Sequence, residues 1–99
     1  MTTTQETNRD KRAAIICSHV AIGGFPILRA VRDEPTMPED SGWQFLCGND
    51  LHDESDEARV WLVCEVVDHE PSLQPHVELP PGTVLTRSDN FIEWKIESR

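Results

Sequence analysis

Apolar and polar positions alternate most clearly in one stretch, Trp43-Gln44-Phe45-Leu46-Cys47. An acidic run and the Asp40-Ser41-Gly42 turn precede it, and Gly48 closes it. Alternation with period two predicts a strand with Trp43, Phe45 and Cys47 on one side and Gln44 and Leu46 on the other. Two shorter runs precede it. Ala13–Cys17 is continuously apolar and bounded by charge, which predicts a buried first strand ended by Ser18-His19. Residues 20–26 read as a loop: Gly23-Gly24 favours a turn, and Pro26 cannot donate to a ladder. Residues 27–32 then form a second strand, expected to pair antiparallel with the first through a long hairpin connection.

Beyond the central stretch, residues 58–69 carry both signals. Val60, Val63, Cys64 and Val67 fit a helical period, whereas the β-branched content favours a strand. The resolution adopted is an extended lead-in over Arg59–Leu62 and a short helix over Val63–His69. Pro71 to Gln74 form a turn or short helix that Pro75 stops. Leu79-Pro80-Pro81-Gly82 is a loop. Residues 83–87 and 91–96 make a terminal hairpin turning at Ser88-Asp89-Asn90, with the Trp94 side toward the core. These elements predict an α+β domain: a small, mostly antiparallel sheet of about five strands with one or two short helices on one face. Residues 1–10, polar after Met1, read as a flexible tail before a single domain over 11–99.

Composition narrows the function. The 99 residues include 9 basic and 18 acidic side chains, for a formal charge of −9. A nucleic-acid or anionic-membrane binder needs a basic face, so neither partner is expected. A basic protein partner suits this field, although acidic charge also serves plain solubility. The acids concentrate in two loops, 33–40 and 49–57. Cys17, Cys47 and Cys64 are odd in number and lack a CxxC pair, which favours buried thiols in a reducing compartment. With no basic start followed by an apolar segment, a cytoplasmic location is expected.

Other chemistry is thinly signalled. Cys17-Ser18-His19 supplies two metal ligands, but two ligands are not a site, and no second cluster has zinc spacing. Residues 50–57 lack the glycine of a calcium loop. Neither Cys17 with His19 nor Ser41 beside Asp40 sits in a recognisable nucleophile motif, and Gly23-Gly24 lacks the spacing and lysine of a phosphate loop. No metal, cofactor or catalytic residue is assigned. Each tryptophan reads first as core, with an exposed one between the acidic loops as an interface candidate.

The run Asp40–Gly48 resembles that of the bacterial immunity protein family 33, also known as domain of unknown function 2185, of polymorphic toxin systems. Ala14–Ser18, Val31-Arg32-Asp33-Glu34-Pro35, Glu70-Pro71-Ser72-Leu73 and Gly82–Arg87 match in order and rough spacing, so the resemblance spans about residues 13–97. Glu70 stands where the pattern has Asp, and Cys47 and Asn49 also depart from it. The resemblance implies a non-enzymatic protein that neutralises a cognate toxin by occluding it. Partners of this type are often basic nucleases, which an acidic cover suits. The expected contact residues are Asp33, Glu34, Glu39, Asp40, Asp50, Asp53, Glu54, Asp56 and Glu57, with Trp43 as an anchor. The alternatives are an accessory or regulatory domain without a toxin, and a small metal-dependent hydrolase. The hydrolase requires Cys or His to converge with carboxylates.

Overall fold

A computed structural model describes residues 10–48, 58–89 and 93–98. Among these residues, six strands form one sheet: β1 (Ala13–Ile16), β2 (Arg29–Arg32), β3 (Asp40–Leu46), β4 (Arg59–Leu62), β5 (Thr83–Thr86) and β6 (Lys95–Ser98). Their order is β4-β1-β3-β2-β5-β6. β3 lies inside the sheet, parallel to β1 and antiparallel to β2. Every other pairing is antiparallel. The architecture is therefore α+β, with six strands rather than about five.

The expected β1–β2 hairpin does not form. Trp43 and Phe45 are 1% and 0% exposed, and burying two such rings takes small or apolar neighbours on both flanks. Ala14 and Ile16 of β1 supply one flank and Ala30 of β2 the other, so β3 inserts between the two runs. The connection from β1 to β2 also holds a helical turn where the sequence read loop, α1 (Ser18–Ala21), whose Val20 enters the core.

The divided reading of residues 59–69 is correct. β4 leads directly into α2 (Val63–His69). The Leu62 N–H donates to Glu65 Oε1 at 2.8 Å, and the Val63 and Cys64 N–H groups donate to the Arg12 and Asp10 carbonyls. These bonds satisfy donors that a helix start otherwise leaves open. Asp10 is thus bonded to the start of α2, and its carboxylate also grips the Arg12 guanidinium through two bonds of 3.0 and 2.7 Å; residues 1–9 lie outside the described residues. A 3₁₀ helix (Pro71–His76) follows and carries Pro75 within it. In the terminal hairpin Thr86 pairs with Lys95, so the second strand starts later than the pattern indicated. Trp94 is buried just before it.

Val20, Val63, Val66, Leu73 and Val77 join Trp43, Phe45, Ala30 and Leu85 in one core. The described helices therefore pack on one face of the sheet. The opposite face carries the alternate residues, among them Ile15, Gln44 and Val60.

Candidate functional site

The Ser-Gly-Trp motif builds a joint in the sheet. Along β1–β3 the register passes from Ala13↔Asp40 to Ile15↔Gln44, so β3 holds two extra residues there. Ser41 repairs the interrupted ladder: its hydroxyl donates to the Ala13 carbonyl at 2.6 Å and accepts the Trp43 N–H at 3.1 Å. Gly42 has φ +80°, and a Cβ there would lie 2.0 Å from the Asp33 carbonyl oxygen. Only glycine fits this close approach. The Trp43 Nε1–H donates to the Val77 carbonyl at 3.0 Å. Arg32 sits 5.7 Å from the Trp43 ring centroid and donates to the Ser41 and Leu79 carbonyls at 2.8 and 2.7 Å.

A second joint lies at the other resemblance residues. The Arg87 guanidinium lies 4.1 Å over Trp94, donates to the Ile27 carbonyl and pairs with Glu70 Oε1 at 2.9 Å. Ser72 accepts the Trp94 Nε1–H at 2.9 Å and donates to Glu70 Oε2 at 2.5 Å. Burial pushes the Glu70 carboxyl up, but the Ser72 hydroxyl and the Arg87 charge together outweigh it and hold Glu70 below the ordinary carboxylate range.

These joints correct one expectation. Trp43 is core, locked by its indole bond and by Phe45 stacked at 5.5 Å, and presents no surface as an anchor. Two of the expected acidic contacts also support the fold. Asp33 Oδ2 accepts from Gln44 Nε2 at 2.6 Å, and Asp40 Oδ1 accepts the Gly42 N–H at 3.0 Å. Glu34 and Glu39 are exposed, whereas Asp33 and Asp40 are half-buried. Asp50, Asp53, Glu54, Asp56 and Glu57 lie outside the described residues.

The surface that stands out was absent from the expected set. On the sheet face away from the helices, Ile15 is 44% exposed and Val60, its partner across β1–β4, is 70% exposed. Leu62 lies further along the same face, opposite Ala13. Met37, 57% exposed, stands beside them in the loop before β3. Together Ala13, Ile15, Met37 and Val60 line a shallow, mostly apolar groove of about 280 Å³, rimmed by Glu39 and Asp40. Its outer wall is β4, an edge strand. The sequence showed Ile15 only as part of a continuous apolar run, and nothing in it placed β4 beside β1.

Cys17 and Cys47 are buried free thiols, as the sequence indicated, and Cys64 is half-buried. None of the three cysteines is in a disulfide. Cys47 joins Cys17 and His19, with Sγ 3.8 Å from His19 Nδ1, while Cys64 lies apart in α2. No carboxylate of the described residues belongs to this group. Among the described residues no helix is long and apolar enough to cross a membrane.

No curated protein and no solved structure matches the chain. The family model described as the immunity protein Imm33 domain matches residues 15–97, a span that takes in both joints, except Ala13, and the groove-forming strands, except the first two residues of β1. The chain belongs to the Imm33 immunity protein family.

Proposed function

We propose that this protein neutralises a cognate toxin domain by covering it, with the β4–β1–β3 face as the contact surface. The observation that carries this reading is the apolar groove between Ile15, Met37 and Val60 with carboxylates on its rim. Exposed apolar side chains gathered on an uncovered sheet face and edged by charge have the anatomy of a protein interface. Glu34, Glu39 and Asp40, in a chain of net charge −9, select a partner that is basic around an apolar centre. A basic nuclease fits that description. Occlusion asks for no reaction from this chain, and the protein works in the cytoplasm, ahead of toxin damage.

The test is growth rescue. The C-terminal domain of a large secreted protein encoded beside this chain is expressed with and without it. Rescue with a co-purifying complex is expected, and Ile15→Glu with Val60→Glu abolishes both while leaving the fold intact. Full rescue by that double variant would remove this face from the mechanism.

A further inference from the structure

A soft-metal site can be read from three side chains that are distant in sequence. β1 and β3 run parallel, so their C-terminal ends emerge at the same end of the sheet. Cys17 lies between β1 and α1, His19 lies within α1, and Cys47 follows β3. The Cys17 N–H donates to the Phe45 carbonyl at 3.0 Å, which fixes the two strand ends together. As a result Cys17 Sγ, Cys47 Sγ and a His19 ring nitrogen all lie within 4.8 Å of one another.

We propose that Cys17, His19 and Cys47 bind one zinc ion. Zinc bonds of about 2.3 Å to sulfur and 2.0–2.1 Å to nitrogen place tetrahedral ligands roughly 3.5–3.8 Å apart. The Cys47–His19 separation of 3.8 Å is close to that spacing, and the remaining pairs lie within 4.8 Å. Two thiolates and a neutral imidazole balance the dication, so the charge of the loaded site is zero. That suits cysteines only 6% and 5% exposed. Each thiol gives its proton to solvent on binding. His19 is half-buried and gives access from outside. Its ring stacks on Phe25, with centroids 5.8 Å apart and planes 13° from parallel, which sets the imidazole's orientation as an outer-shell partner does. Thiolate with imidazole selects zinc over magnesium or calcium. With three protein ligands the fourth tetrahedral position would be taken by water, and the ion would clamp the ends of β1 and β3 to α1. The site does not include the groove residues and stands independently of the toxin reading.

The experiment uses the full chain, reduced and stripped with a chelator, then titrated with Zn²⁺ against a chromophoric competitor and, separately, with Co²⁺. Expected are one ion per chain, a raised Tm, and a cobalt spectrum with thiolate charge-transfer bands and tetrahedral intensity. Cys47→Ser and His19→Asn each weaken binding by roughly 100-fold or more, Phe25→Ala by about 10-fold, and Cys64→Ser by none. His19→Asn, at a half-buried position, separates ligand loss from a folding defect, and circular dichroism of the metal-free variants confirms the fold. Equal binding by His19→Asn and the parent would overturn the proposal. A cobalt spectrum without thiolate bands would do so as well, as would a Cys17–Cys47 disulfide that on reduction yields a chain taking up no zinc.

Discussion

The two faces of the sheet are built from different chemistry. The covered face is closed by specific bonds: Trp43, Arg32 and Ser41 at one joint, Trp94, Arg87 and Glu70 at the other. The opposite face buries Val31 and Val84 at β2 and β5 but is open at its β4–β1 end, where Ile15, Val60, Leu62 and Met37 stand in water with acids beside them. The difference teaches where the resemblance to the family resides. Its most distinctive residues, Ser41-Gly42-Trp43, and the weaker match at Glu70-Pro71-Ser72 hold the scaffold together. The surface proposed for a partner draws on residues outside those two joints, chiefly Ile15, Met37 and Val60. Such a division lets one scaffold carry different partner surfaces, because the joints constrain the fold without constraining the open face.

Trp43 is the sharpest way to break this comparison. Trp43→Ala empties the centre of the core and leaves the Val77 carbonyl with only the longer bond from Arg32, at 3.4 Å, and is expected to cost about 3–5 kcal/mol in urea denaturation. A fully stable Trp43→Ala variant that no longer binds toxin would make the residue an anchor after all. Gly42→Ala follows. The strained φ alone costs about 1–3 kcal/mol, and the 2.0 Å approach to the Asp33 carbonyl forces the loop or the bulge to shift in addition. The resulting loss of stability is read from the same denaturation curves.

At the second joint the electrostatics give a pH signature. Glu70 has its carboxyl depressed in the folded state, so it binds its proton less readily there than in the unfolded chain. Its contribution is fully present above the ordinary glutamate value of about 4.3 and is lost as the pH falls through the lower native value. Glu70→Gln is expected to lose about 1.5–3 kcal/mol at neutral pH and to flatten that part of the acid unfolding profile. A variant with the parental acid profile would assign the acid sensitivity to other carboxylates, Asp10 beside Arg12 first among them.

The period-two alternation of Trp43 to Cys47 made the central strand legible, because a buried face imposes that pattern whatever lies beside it. The switch from β4 to α2 was less sharply legible: the helical period of Val60, Val63, Cys64 and Val67 starts one turn early, at a residue that lies in β4, and the β-branched content marked the extended lead-in. Strand partners were not legible. Pairing β1 with β3, rather than with β2, depends on what flanks Trp43 and Phe45, and side chains distant in sequence decide that. Both sites inherit this limit. Ile15 meets Val60, and Cys17 meets Cys47, only through the order of the strands. The acidic loops were visible in composition, yet composition does not distinguish Asp33 and Asp40, which bond to the chain itself, from Glu34 and Glu39, which face solvent.

The open face predicts the reverse response to substitution. Ile15→Glu and Val60→Glu replace exposed apolar groups and are expected to change stability by within about 0.5 kcal/mol. In the toxin complex each would bury an unpaired carboxylate, so about 2 kcal/mol of affinity, roughly 30-fold, is lost per substitution. Calorimetry of the complex beside denaturation of the free protein measures both. A large stability loss without an affinity change would show that this face supports the fold as the covered one does.

The smallest effect is the most discriminating about the rim. Glu39 on the groove's rim and Glu34 in the same loop are exposed, so in a complex they act mainly through their field rather than through buried contacts. Glu34→Lys with Glu39→Lys is expected to slow association with a basic toxin several-fold at low salt and to leave dissociation nearly unchanged. The effect shrinks as salt is raised, because the screening length falls to about 8 Å at physiological ionic strength. Stopped-flow association at two salt concentrations reads this directly. Faster dissociation with unchanged association would place these carboxylates inside the buried contact, and the boundary between apolar centre and charged rim would then lie beyond the loop before β3.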